Sequence, residues 1–332
     1  MDPDLRQLNR TFLARQMLLE RDGSDAIAAT ERLAGLQAQL PRPPFVALWT
    51  RLQCFTTDTF ANLLRSGQLV RATMMRGTIH VMSRPDFIRF RRSIQPVLSA
   101  QANSVAGTSI GDRAAVIEAA RACLSRRPQT FADCRAALAE SFPDIDERAM
   151  GFLARMHIPL LMRPDNSQWA YSGSVFAEAE SWLGAPLNAS DSRPDLVLRY
   201  LAAFGPATVK DAQSWSGLQG LADVFEQLRP TLKVFRSGRT EYFDVPDGPD
   251  VPATAVPPPR FLAPFDNAIL GHHDRRRIIS DEDRKRISTR NLQIPGTFLI
   301  DGFVAGVWTD AGGKTRATLT LQPFRPIPRA LR

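Results

Sequence analysis

Residues 56–83, TTDTFANLLRSGQLVRATMMRGTIHVMS, decide the fold class. TTDTFANLLRSG has the apolar spacing of a helix, whereas QLVRATMM and GTIHVMS read as paired strands across a short turn at Arg76 and Gly77. A further helical stretch, FVALWTRL, lies just upstream. The order is therefore that of a winged helix, a helix-turn-helix followed by a β-wing.

The order recurs twice. AAVIEAARACLSR, TFADCRAALAESF and DERAMGFLARM precede the strands IPLLMR and QWAYS, with Pro164, Asp165 and Asn166 as turn residues. PDLVLRYLAAF, TVKDAQSWS and LADVFEQL precede TLKVFRS and TEYFDV, joined at Gly238. The fold expected is mainly α with β, built from three tandem winged-helix modules. Pro246, Pro249, Pro252, Pro257, Pro258 and Pro259 then crowd a stretch that suits neither helix nor central strand, and mark a linker. Beyond it TFLI, FVAGVWT and RATLTLQPF read as an antiparallel meander, with Asp301-Gly302 as a tight turn. The charged preface GHHDRRRIISDEDRKR reads as loop. The expected division is a first winged helix with an N-terminal helix over residues 1–105, a second over 106–190, a third over 191–246, the linker over 247–260 and a small β-rich domain over 261–332.

With 44% hydrophobic and 23% charged residues the composition is that of a soluble globular protein, and no apolar run approaches the ~18 residues that span a bilayer. The start, MDPDLRQLNR, lacks the pattern of a secretory signal, and Cys54, Cys123 and Cys134 form no close pair. Reduced thiols and a cytoplasmic location follow as expectations. The net charge is 42 − 34 = +8, and nearly all the basic residues are arginine. Arginine pairs bidentately with phosphate, which suits a polyanionic partner. A GC-rich genome yields the same bias, so charge alone leaves nucleic-acid binding open.

Several catalytic patterns fail on context. Gly107-Thr108-Ser109-Ile110-Gly111 has nucleophile-elbow spacing but no preceding buried strand, and Gly313-Lys314-Thr315 lacks the earlier glycine of a phosphate loop. His80, His157, His272 and His273 show no metal-ligand spacing, so neither a metal nor another cofactor is expected. The more informative segment is Gly35-Leu36-Gln37-Ala38-Gln39-Leu40-Pro41. Ser24 is a plausible N-cap, Ile27, Leu33 and Leu36 give an apolar helical face, and Pro41 disfavours helix at Leu40. Gln37 and Gln39 then flank a helix end. If Gln39 is extended, both amides can address one cleft, but spacing alone favours two ordinary polar residues at a helix terminus.

Five segments in order, GLQAQLPRPPFVALWTRL, RGTIHVMSRPDF, GPATVKDAQSWSGL, FLAPFDNAILGHHDRRRII and GTFLIDGFVAGVW followed by ATLTLQPF, resemble the winged-helix DNA glycosylases of the AlkZ and YcaQ type over nearly the whole chain. The resemblance implies three tandem winged helices and a small C-terminal β-barrel-like domain forming a C-shaped, DNA-sized surface. It implies a DNA N-glycosylase, needing no cofactor, that removes bulky N-alkylated purines of the N7-alkylguanine type from double-stranded DNA. Unhooking of interstrand crosslinks and self-resistance to a genotoxic natural product belong to the same expectation, as do a monomeric enzyme and a place at the bacterial nucleoid. One branch of the family carries its chemistry on Gln-x-Gln and the other on Gln-x-Asp; Gln37-Ala38-Gln39 looks like the first, which marks Gln37 and Gln39 as catalytic. His80, in the family-like GTIHVM strand, is a candidate to face the same cleft, although a lone strand histidine is more often a satisfied structural residue. Relatives continue with a helical stretch after the segment matching LQPF, where this chain ends at Arg332.

For phosphate contacts the candidates are Arg275, Arg276, Arg277, Arg284, Lys285 and Arg286, although beside Asp281, Glu282 and Asp283 the same charge pattern fits a solvated loop. A non-catalytic DNA-binding protein or transcriptional regulator would share these features and differ in releasing no base. A small-molecule hydrolase has only GTSIG in its favour.

Glutamine is neutral and no general base, so a mechanism that rests on it suits a leaving group that needs no acid. A purine alkylated at N7 or N3 is already cationic and departs as a neutral base. Two amide oxygens need only orient a water and stabilise the oxocarbenium-like sugar.

Overall fold

The computed structural model describes residues 4–105, 112–288, 293–312 and 316–327. The elbow-like residues 107–111 and the GKT stretch 313–315 lie outside them. The described strands are, in chain order, β1 (Leu36–Gln37), β2 (Leu69–Thr73), β3 (Ile79–Ser83), β4 (Leu160–Met162), β5 (Phe176–Glu178), β6 (Lys233–Ser237), β7 (Thr240–Asp244), β8 (Arg260–Leu262), β9 (Gly296–Ile300), β10 (Phe303–Gly312) and β11 (Ala317–Pro323). The chain is a mixed α/β fold that divides into two compact units. One comprises Met1–Phe55, Val197–Trp215 and Gly220–Arg332, the other Thr56–Leu196 and Ser216–Gln219.

The second unit opens with the helix Thr57–Arg65, capped by the Thr56 hydroxyl, which accepts from the Thr59 amide. Phe60, Ala61 and Leu64 form its buried face. β2 and β3 pair antiparallel from Leu69↔Ser83 to Thr73↔Ile79. The chain reverses at Arg76 and Gly77, whose φ angles of 56° and 68° are left-handed. Within the unit the strand order is β3-β2-β4-β5, because β2 also pairs with β4 through Arg71↔Met162 and Ala72↔Leu161. The hairpins expected as separate first and second wings thus share one sheet.

β5 is Phe176–Glu178, not the expected QWAYS. After β4 the Asp165 carboxylate accepts from the Ser167 amide and from both the amide and hydroxyl of Ser172, which folds QWAYS into a loop with Ala170 at φ 60°. Three helices follow the expected order, Arg113–Arg126, Phe131–Ala137 and Glu147–His157. Phe131 stacks on Phe176 of β5 at 4.2 Å between ring centroids.

In the first unit the helix Leu5–Arg15 acts as a spine. The Asn9 side-chain amide donates to the carbonyls of Arg277 and Gly302 at 2.7 and 2.8 Å. Arg15 donates through Nη2 to both carboxylate oxygens of Asp244 of β7, at 2.7 and 2.8 Å, and through Nη1 to the Leu201 and Ala202 carbonyls in the last turn of the helix Arg193–Phe204. A guanidinium suits a helix C-terminus, where carbonyls are left without helical partners. Phe12, Tyr200, Phe204, Trp215 and His272 form one aromatic cluster, with Tyr200 5.1 Å from Trp215 and Phe12 5.2 Å from His272. β6 and β7 form a separate hairpin, Lys233↔Asp244 to Ser237↔Thr240.

The C-terminal strands run β11-β10-β9-β8, all antiparallel. This sheet is open, which corrects the barrel-like expectation: among the described residues no pairing closes β11 onto β8. The Asp301-Gly302 turn has φ angles of 50° and 79°, as a two-residue hairpin loop requires. The charged preface is not all loop, since Asp281–Ile287 is helical. The Ser280 hydroxyl caps it by accepting from the Asp283 amide, and acidic residues in the first turn with basic ones in the last complement the helix dipole. No described helix is long and apolar enough to cross a membrane.

Candidate active site

The Gln-Ala-Gln motif does not sit at a helix end. The helix Ala26–Arg32 is capped by Asp25, not Ser24, and its carboxylate accepts from the Ile27 and Ala28 amides. The helix closes well before Pro41. The Gly35 amide donates to the Thr30 carbonyl and the Ala34 amide to that of Glu31, with Ala34 and Gly35 at φ 54° and 91°. That is a Schellman closure with alanine in the left-handed position that glycine usually takes. Leu36 and Gln37 emerge extended as β1. Gln37 is buried, 8% exposed, between buried Leu36 and Ala38, whereas Gln39 and Leu40 are exposed. Arg42 clamps the following loop to β10 by donating to both carboxylate oxygens of Asp310, at 2.9 and 2.7 Å. Pro43 and Pro44 then open the helix Pro43–Trp49, where a missing amide hydrogen costs nothing.

Gln37 lines a recess of about 10 Å³, roughly the space of one water molecule, together with Gln16, Arg51, Asp266 and Asn267. Arg51 and Asp266, each 1% exposed, form a bidentate pair at 2.7 and 2.8 Å. Arg51 also donates to the carbonyls of Gln16 and Ala47, so its charge is matched on several sides. Asp266 further accepts from the Ala268 amide. The side chain of Asn267 donates to the Gly35 carbonyl at 2.8 Å, directly behind the motif. The Gln16 side chain donates to the Ala203 carbonyl at 2.7 Å. These four residues escaped the sequence reading. The only signal was the PFDN segment, where an Asp at the start of a short helix is already explained by capping.

The basic candidates divide. Arg277 is buried and donates to the Pro206 carbonyl at 2.8 Å, so it is a core residue and not a phosphate ligand. Arg275 is half-buried, and burial lowers its pKa. Arg276 is exposed, but its guanidinium is engaged by Asp274 at 2.6 Å. Arg286 pairs with Glu282 at 3.0 Å. Lys285 is exposed and Arg284 half-exposed, and neither has a carboxylate partner among the described residues. His80 is completely buried. Its Nδ1 lies 3.0 Å from the Thr78 carbonyl, and burial, helped by Arg76, holds its pKa down at about 3. A neutral ring with no exposed edge has nothing to offer DNA, which corrects the expected placement of His80 on a binding face. Among the described residues no group of three or more His, Cys, Asp or Glu side chains gathers as a metal site.

The model of the AlkZ-like DNA glycosylases matches residues 30–332, and the chain belongs to that family. Among solved structures it is similar to the Streptomyces sahachiroi DNA glycosylase AlkZ, with a TM-score of 0.80 at 21% identity, over 99% of this chain and 93% of that one. This likeness concerns the fold. No curated protein matches.

Proposed function

We propose that this enzyme, acting as a monomer on duplex DNA, hydrolyses the N-glycosyl bond of bulky N-alkylated purines of the N7-alkylguanine type, with Gln37 and Gln39 as its catalytic pair. The observation that carries the reading is that the Gln-Ala-Gln motif lies outside any helix: Gln37 ends β1 and lines the recess, and Gln39 follows in an exposed bend, so the two amides are not held at the diverging angles of a helix. Among the described residues that line the recess with Gln37 the one carboxylate is Asp266, and it is engaged by Arg51 rather than free to act as a general base. The chemistry then rests on the leaving group. The cationic purine departs with the C1′–N bonding electrons as a neutral base. Water held by the two amide oxygens adds to C1′, and its proton passes to solvent once the C1′–O bond has formed. An uncharged base would need an acid, and the described residues that line the recess offer only the paired Asp266, which favours cationic lesions as substrates.

We extend the reading to three winged-helix modules over residues 1–246 as the DNA-binding frame, and to crosslink unhooking in self-resistance as its biological setting. The test is single-turnover incubation with duplex DNA carrying one defined N7-alkylguanine, scored for free base and abasic site against unmodified guanine. Release confined to the alkylated base is expected. Binding without release from any N7-alkylated duplex would return the chain to the non-catalytic reading.

A further inference from the structure

We infer that Gln16, Asn267 and Gln37 hold one structural water beneath the Gln-Ala-Gln motif, and that this water fixes which way the Gln37 carboxamide turns. The inference deepens the glycosylase reading and, for its kinetic half, rests on it.

Both flanking amides have their orientation settled by what they donate to. A backbone carbonyl only accepts, so the Gln16 group that meets the Ala203 carbonyl at 2.7 Å must be Nε2, and the Asn267 group that meets the Gly35 carbonyl at 2.8 Å must be Nδ2. The partner atoms, Gln16 Oε1 and Asn267 Oδ1, are therefore oxygens. Both are inaccessible to solvent, and neither has a hydrogen-bond partner. A buried acceptor without a donor is rare in proteins, and two on residues that line one recess are a specific demand. The neighbouring donors cannot meet it. Arg51 is spent on Asp266 and on the carbonyls of Gln16 and Ala47, and the Ala268 amide on Asp266.

A recess of about 10 Å³ admits one water and little else. Water brings two hydrogens, one for each orphaned oxygen, and keeps its lone pairs for the third polar wall, Gln37. Lone pairs attract the N–H₂ end of the Gln37 amide inward. The carbonyl end is thereby turned away from the recess, toward the position from which it would orient the attacking water. Gln16 and Asn267 thus act as positioning residues, and Asn267 does so twice, since it also ties down the Gly35 carbonyl two residues before Gln37.

The first arm of the test is a crystal structure of the full chain. A solvent peak at hydrogen-bonding distance from both Gln16 Oε1 and Asn267 Oδ1 is expected; no peak, or the shorter distances of a bound cation, overturns the site. The second arm is Ala47→Val, which fills the recess from its wall and leaves both amide anchors intact, alongside Asn267→Leu. Single-turnover base release from an N7-alkylguanine duplex should slow by about 10-fold to 100-fold, with duplex affinity unchanged. Parent-rate release by Ala47→Val, with the peak confirmed lost, overturns the positioning role. If the parent enzyme releases no base at all, the glycosylase reading fails, and the crystallographic arm still decides the water.

Discussion

Arg51 and Asp266 meet face to face in the interior, two hydrogen bonds at 2.7 and 2.8 Å, and so join the end of the helix Pro43–Trp49 to the PFDN turn that carries Asn267. Burying such a pair is costly, and breaking it is costlier, because one charge is left behind without a partner. Asp266→Ala should lower stability by about 3–5 kcal/mol. The double variant Arg51→Met with Asp266→Ala should recover part of that loss. A chemical-denaturation series on both variants checks it, and equal stability of the single variant and the parent would mean that solvent reaches the pair.

Acid should begin to weaken the fold above the ordinary carboxylate range. His80 and His272 are buried and held at a pKa of about 3, His80 by burial and Arg76, His272 by burial and Arg277 against the opposing pull of Asp211. Both rings stay neutral in the native state, whereas in the unfolded chain they take up protons below the ordinary value of 6.5. The unfolded state therefore binds more protons between pH 6.5 and about 3, and stability falls as pH falls through that window. Each ring contributes a slope of up to about 1.4 kcal/mol per pH unit. Melting temperatures from pH 7.5 down to 5 should decline. His272→Gln, which can still donate to the Phe204 carbonyl, should flatten the decline even if it lowers the plateau.

Duplex affinity should depend on salt, with each phosphate contact adding about 0.9 to the slope of log affinity against log salt. Arg284 and Lys285 carry no carboxylate partner among the described residues, so replacing both by Ala should reduce the slope by up to roughly two contacts' worth. Arg276→Ala should change it less, because Asp274 already occupies that guanidinium. Arg277→Ala should register mainly as lost stability. A slope untouched by the Arg284 and Lys285 changes would take the helix Asp281–Ile287 off the DNA face.

Helix and strand order was readable wherever periodicity was clean, as at the helix Arg113–Arg126 and the hairpin of β6 and β7. What misled were residues in unusual backbone roles. Ala34 fills the left-handed position of a Schellman closure where a glycine would announce the stop, so the sequence points to Pro41 as the helix terminator instead. QWAYS alternates like a strand, yet one carboxylate, Asp165, gathers enough local donors to fold it into a loop. Charge is equally ambiguous in one dimension: in DRRR the first arginine is half-buried, the second exposed and the third in the core, a division set by the carbonyl of Pro206 some 70 residues away. The motif itself was legible only through its family, because two neutral amides carry no chemical signature of their own.

Gln37 and Gln39 differ in burial, and that difference makes their truncations distinguishable. Gln37 is 8% exposed and lines the recess with Asn267, whereas Gln39 lies on the surface. Both replacements by Ala should slow base release, by on the order of 100-fold, since each removes a group that orients water and stabilises the sugar cation. Only Gln37→Ala should also lower the melting temperature, because it leaves buried polar partners unsatisfied. Gln39→Asp introduces the carboxylate of the sister branch at an exposed position, where it stays ionised near neutrality. It should keep release measurable and shift preference among lesions, because a carboxylate stabilises the sugar cation more strongly but reaches less far. The measurements are single-turnover release of an N7-alkylguanine at saturating enzyme, duplex affinity and a thermal melt for each variant. Parent rates in both Ala variants would remove the pair from the chemistry; loss of release only in proportion to loss of binding would make the motif a DNA contact.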